Sequence, residues 1–152
     1  MNRVFKDAME VAMTYDVSTP ENGLVLYSVS FLPTKENRDK AFDYVKNHPG
    51  SVTIENTLCG AKLVEMDLSG KDSNLSNDDI ALIWATASKR MIEQARGEVT
   101  AFVNGADPRS VFCRVELLNI LENPLITTIN GEDKNILLQS TYQIIKNKIK
   151  HS

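Results

Sequence analysis

Two glutamates in this chain stand where carboxylate chemistry is most easily built. Glu55 directly follows the apolar run SVTI at 51–54, in the string TIEN, and Glu116 sits between apolar neighbours in RVELL. A carboxylate at the end of a buried strand is partly desolvated, which raises its pKa or orients it as a base or nucleophile. Cleavage at the anomeric carbon of a sugar needs little more than such a group and a binding slot. Nearby negative charge stabilises the oxocarbenium-like transition state. Glu55 is therefore the expected principal carboxylate, with Glu116 assisting. The competing readings are structural: Glu55 capping the next helix or pairing with Arg38 or Lys40, and Glu116 exposed or paired with Arg114.

Around these two lie residues suited to holding a ligand. Tyr27 and Ser28 end the first apolar run, Asn37 and Arg38 fall in the first turn of the helix that follows, and Asn104-Gly105 closes the run EVTAFV. A tyrosine there can stack on a base, supply a hydroxyl or pack in the core. Arginine pairs with phosphate or sits on the surface, and the free N–H groups of a helix's first turn hold anions. Asn130-Gly131 repeats the pair after LITTI. Both pairs read equally well as turns, because Asn and Gly tolerate positive φ.

Absences narrow the chemistry. The only histidines are His48, beside the helix stop Pro49-Gly50, and His151 near the end. Histidine-dependent nucleophilic catalysis lacks a base, and a His-rich zinc site cannot be assembled. No P-loop is present, and no glycine-rich fingerprint follows the first strand. No cofactor and no metal are expected. Cys59 and Cys113 match no metal or redox spacing and read as reduced, buried thiols.

Lys and Arg total 17 against 20 Asp and Glu, a formal charge of −3, which argues against a dedicated nucleic-acid binder. The basic tail KNKIKHS suits the solvated end of a helix. No apolar run reaches the length of a membrane span. MNRVFKDAMEVAMTYD carries Asp7 and Glu10 where a signal peptide is apolar, so synthesis in the cytoplasm is expected, and secretion or delivery would use a route without a cleavable signal. The expected partner is a small nucleotide-like ligand or another protein, not nucleic acid and not a membrane. The oligomeric state stays open.

The elements that must position these residues follow from periodicity. An N-terminal helix within residues 1–16 carries Val4, Phe5, Ala8, Met9 and Ala12 at helical spacing. Strands are expected at 24–29, 51–54, 98–103 and 125–129. Helices are expected at about 34–47, from the Ser76/Asp79 capping box to Gly97, at 109–122 with a break near Glu116, and at 134–149. Trp84 lies on the apolar stripe of the second of these and reads as core. Residues 56–75 carry no clear period, with AKLVEMDL as an extended segment.

Strands alternating with helices, and strands apolar on both faces, specify an α/β domain. It is a small three-layer parallel sheet of about four strands with helices on both faces, one domain over residues 1–152. Ligands in such sheets bind beyond the carboxyl ends of the strands. That edge collects 28–34, 55–57, 104–107 and 130–133.

The succession LYS, ENR, TIEN, GEVTAFVNG and SVFCRVELLNILENP, spanning about 24–130, resembles C-terminal toxin-like modules of large secreted bacterial proteins. Among these are the adhesins of contact-dependent inhibition systems. The resemblance carries Tyr27, Ser28, Asn37, Arg38, Glu55 and Glu116 over as matching positions. It implies a bacterial effector. The modules have a glycine-rich loop after Tyr-Ser where this chain reads VSFLP, and glycine is what lets a backbone approach a ligand closely.

Taken with the exclusions, the expected activity is hydrolysis or transfer at the N-glycosidic bond of a nucleotide or nucleoside-type ligand such as NAD. Glu55 and Glu116 are the carboxylates, while Arg38 and Asn104 hold the substrate. The alternative is a non-catalytic module on the same scaffold that sequesters a nucleotide or docks on a protein. A nuclease-like toxin fits the same neighbourhood but not the acidic balance and scarce histidine.

Overall fold

Side-chain alternation in β1 (Leu24–Tyr27) decides which helices cover which face of the sheet. Leu24 and Leu26 enter the main core, whereas Val25 is equally buried but lies outside that cluster, as successive strand side chains point to opposite faces. The computed structural model describes residues 2–29, 32–103 and 115–133. Within these, α1 (Arg3–Thr14) precedes β1. Then come α2 (Glu36–Asn47), α3 (Leu58–Glu65), α4 (Asn77–Gln94), β2 (Gly97–Phe102), α5 (Leu117–Glu122), β3 (Ile126–Ile129) and the short β4 (Glu132–Asp133). The expected helix at 134–149, Asn104-Gly105 and Cys113 lie outside the described residues.

The sheet runs β1-β2-β3-β4. β1 and β2 pair in parallel from Leu24↔Val99 to Tyr27↔Phe102, and β2 pairs in parallel with β3. β4 turns back antiparallel through Asn130 and Gly131, both at positive φ (52° and 80°), the backbone a tight hairpin turn of this hand requires. α2 packs on β1 and β2, with its buried Ala41 outside the main core. The main core joins residues of α1, α3, α4 and α5 to Leu24, Leu26, Val99, Ala101, Ile126 and Ile129. The expected α/β architecture, with helices on both faces of a small and mainly parallel sheet, is the architecture found.

Two local expectations are corrected. Residues 51–54 form a single parallel bridge, Val52 to Leu24, and not a strand. The Thr53 backbone N–H donates to the Asn56 Oδ1 at 2.9 Å, and the chain winds into a 3-10 turn, Ile54–Asn56. Side chains of this kind compete with a ladder for the backbone. The segment read as extended within 56–75 contains helix α3, capped by the Thr57 hydroxyl, which accepts from the Gly60 N–H at 3.0 Å.

α4 begins at the expected capping box: the Ser76 hydroxyl accepts from the Asp79 N–H at 3.0 Å. Arg90 ties α4 to the end of α1, donating to the Ala12 carbonyl at 2.7 Å and the Tyr15 carbonyl at 2.9 Å. Cys59 is a free, buried thiol that donates to the Val11 carbonyl at 3.3 Å. No helix among the described residues is long and apolar enough to cross a membrane.

Candidate active site at the carboxyl end of the sheet

The segment TIENTLCG builds one wall of the site. Thr53 and Asn56 close the 3-10 turn, and the Thr57 hydroxyl donates to the Ile54 carbonyl at 2.6 Å. α3 then starts so close that a Cβ on Gly60 would lie 1.8 Å from the Ile54 oxygen. Only glycine fits there, so the Ile54–Gly60 turn has no slack. Glu55 sits in the middle of it, beside the end of β1.

Tyr27, the last residue of β1, donates its phenolic hydrogen to Glu55 Oε2. Burial first, then the negative charge of Glu55, pushes the Tyr27 hydroxyl well above its ordinary pKa, so it stays a donor at any working pH. The second carboxylate oxygen, Glu55 Oε1, is buried and accepts no hydrogen bond. A buried acceptor left unmade costs about 1–3 kcal/mol and is satisfied by a ligand that brings a donor. The helix-capping alternative for Glu55 is not what the structure shows: Thr53 and Thr57 make the caps. Nor does Glu55 pair with Lys40, which bonds Glu36 at 3.0 Å.

Glu116 comes from the residues immediately before α5. Val115 and Glu116 form a π-type turn leading into α5, the kind of local widening that often marks functional positions. Glu116 is only 7% exposed, so the reading of it as a surface residue fails. Burial, opposed by the Ser88 hydroxyl and aided by the charge of Glu55, raises its carboxyl from an ordinary 4.5 to about 7. Among the described residues no cation contributes. The same field reaches Tyr27, whose hydroxyl is also pushed up by Glu116 and pulled down by Arg38. Tyr27, Glu55, Glu116 and Arg38 thus form one electrostatic cluster from four separate segments.

Other expected residues fall into structural roles. The Ser28 N–H donates to the Phe102 carbonyl at 3.2 Å, and its own carbonyl accepts from the Asn37 amide at 2.9 Å. Both residues are buried and staple α2 to the end of β1. Asn130 is a clamp: its amide accepts from the Ala101 N–H at 2.7 Å and donates to the Ala101 carbonyl at 3.0 Å. It extends the β2–β3 pairing with a side chain. Its Asn-Gly pair is turn chemistry, as one of its two readings held.

Ser88 escaped the sequence reading, while Trp84 and Phe42 were read only as inward-facing packing residues. Ser88 is 4% exposed on α4 and supplies the hydroxyl beside Glu116. Its signal was a polar residue inside an apolar stripe. Trp84 lies four residues earlier in the same helix, hence on the same side. It is only partly buried against the core, not the full core residue that its stripe suggested. Phe42 of α2 is 42% exposed and meets Tyr27 edge to face at 5.7 Å. Among the described residues no group of three or more metal-ligating side chains is found.

No protein-family model and no curated protein sequence matches the chain. Solved structures do share its fold. Porcine CD38 with a covalent intermediate, ribo-F-ribose-5'-phosphate, aligns at a TM-score of 0.58 and 22% identity, covering 97% of this chain and 81% of that one. An ADP ribosyl cyclase bound to N1-cIDPR aligns at 0.55 and 19%, covering 88% and 62%. Aplysia cyclase with substrate NGD and product cGDPR aligns at 0.50 and 24%, covering 72% and 48%. The chain thus spans about half of the Aplysia cyclase and under two thirds of the other cyclase. What these comparisons define is the fold: that of the ADP-ribosyl cyclase and CD38 structures.

Proposed function

We propose that this chain cleaves the N-glycosidic bond between a ribose and a pyridinium-type base in a dinucleotide of the NAD class. The observation that carries the reading is the pair of coupled carboxylates at the end of the sheet. Glu55 is hydrogen-bonded by Tyr27, and Glu116 is buried beside Ser88 with no cation among the described residues to balance it. The shared fold supports it, since structures of that fold hold NGD with its product and a covalent intermediate.

In such a reaction the C1′–N bond breaks and both electrons leave with the base. The base departs neutral, so no proton donor is needed. Positive charge develops on the ribosyl C1′ and ring oxygen. A buried carboxylate is costly when nothing balances it, and that cost is relieved as the ribosyl cation forms. The stabilisation is therefore greater in the transition state than in the ground state, which is what accelerates a reaction. This argument gives Glu116 the leading part that TIEN suggested for Glu55. Glu55 Oε1 instead accepts from a donor on the ligand and orients it. The ribosyl unit is then captured by water, which releases a proton and yields the linear product, or by a nucleophile elsewhere in the same molecule, which yields a cyclic one.

The bacterial effector setting is part of the proposal and rests on the toxin-module resemblance alone. The test is incubation of the purified chain with NAD and with its guanine analogue, followed by chromatography of the products. Release of free base, with a linear or cyclic partner product, is expected. Binding of the dinucleotide without base release would instead make the chain a sequestering module, and neither outcome together with intact folding would sink both readings.

A further inference from the structure

Among the described residues Arg38 carries the one cationic charge that acts on the Tyr27 hydroxyl, and its hydrogen-bonding capacity is largely unspent. Its Nε is buried with no acceptor. Among the described residues its Nη2 meets only Asp39 Oδ1, at 3.3 Å, an i,i+1 contact to a side chain 66% exposed. Its guanidinium lies over the Phe42 ring, 5.9 Å from the centroid, and Phe42 in turn meets Tyr27. Nε and Nη2 form one edge of the guanidinium, the fork that matches two oxygens of a phosphate. A surface arginine would place this edge in water; here one donor is withheld from water and the other is held by a weak competitor. The neighbouring carboxylates make an anion's charge unwelcome anywhere else in the cluster.

We infer that Arg38 is the phosphate-binding residue of this site: its Nε–Nη2 edge receives the phosphate attached to the ribose whose glycosidic bond faces Glu116, in competition with Asp39. Phe42 holds the guanidinium plane by stacking. This rests on the functional reading above and adds the residue that makes the site prefer a nucleotide to a nucleoside. Lysine cannot substitute fully, because it offers a point charge in place of a fork.

The test uses a pair of probes that differ only in the phosphate, nicotinamide mononucleotide and nicotinamide riboside, with binding followed by calorimetry in a Glu116→Gln background so that neither is consumed. With Arg38 in place the mononucleotide should bind about 10–100-fold more tightly, the range of a charge-assisted hydrogen bond, and the preference should shrink as salt is raised. Arg38→Gln should abolish the preference and Arg38→Lys should leave part of it. Asp39→Asn, at an exposed position where folding is not at risk, should enlarge it by removing the competing carboxylate. An undiminished preference in Arg38→Gln, or none with Arg38 present, overturns the inference. If Arg38→Gln does not fold, the opposite shifts expected of Arg38→Lys and Asp39→Asn decide the matter. Base release from the dinucleotide by the otherwise native chain, measured in parallel, separates the two claims. Turnover without a phosphate preference overturns the role of Arg38 alone, whereas no turnover and no binding of either probe overturns both.

Discussion

Replacing Glu116 with glutamine should remove activity and, above neutral pH, make the protein more stable. The carboxyl is buried, and its pKa rises from an ordinary 4.5 to about 7. Below the lower value it is protonated in both the folded and unfolded chain and costs nothing. Between the two values the unfolded chain gives up the proton while the folded one keeps it, so stability falls as pH rises. The span is about two and a half pH units at about 1.4 kcal/mol each, a loss of about 3 kcal/mol complete just above pH 7. Glutamine keeps the shape and a hydrogen-bonding partner for Ser88 but has no proton to lose. Urea denaturation of both proteins at pH 5 and pH 8 isolates the effect, because every other titrating group cancels in the comparison. Part of the loss is already present at pH 5, so the advantage of Glu116→Gln should grow by about 2–3 kcal/mol between the two pH values, or roughly 4–12 °C in Tm for a chain of this size. Stability curves that stay parallel with pH would show that Glu116 is not a buried, proton-holding carboxyl, and the argument for its catalytic role would fall with that.

The same titration should appear in the rate. If Glu116 acts ionised, kcat/KM for base release rises with pH through about 7 and then levels; a decline above that point would make it a proton donor. Asn130→Ala removes both bonds to Ala101 and leaves alanine at φ 52°. It should cost roughly 1–3 kcal/mol by denaturation; no loss would mean the amide clamp does not hold β2 to β3. Trp84→Ala should destabilise by less than the roughly 3–5 kcal/mol of a fully buried aromatic, since Trp84 is only partly buried. It should also raise KM, because Trp84 lies one turn from Ser88. An unchanged KM with a full core penalty would return it to the core.

How much of this was legible in the sequence depended on the range of the interaction. β1 was readable because a parallel strand buried on both faces is continuously apolar, and β2 and β3, whose alternate positions are half-buried or exposed, were readable from their β-branched and aromatic residues. α4 was readable from its long stripe and from Ser76 and Asp79. α3 was not: eight residues give barely two turns, too few for a period to emerge. Residues 51–54 read as a strand because valine, isoleucine and threonine favour one, but the Asn56 side chain, binding the backbone of Thr53, turned the chain after Val52. Glu55 and Glu116 were found as carboxylates beside apolar runs. The proposed leading role of Glu116 was not, because it turns on the burial of Glu116 and on Ser88, 28 positions away in the chain. The Asn130 amide clamp was likewise invisible, since its partner Ala101 lies 29 residues distant.

The most direct measurement is a single-turnover assay of nicotinamide release from NAD with the chain in excess, comparing the native chain with Glu116→Gln and Glu55→Gln. The native chain should release the base. Glu116→Gln should be slower by at least the roughly 10²–10⁴-fold typical of a catalytic carboxylate, and Glu55→Gln should be impaired mainly in binding. No release by the folded native chain, or release that Glu116→Gln leaves undiminished, would contradict the claim that this sheet edge is a carboxylate site for N-glycosidic cleavage.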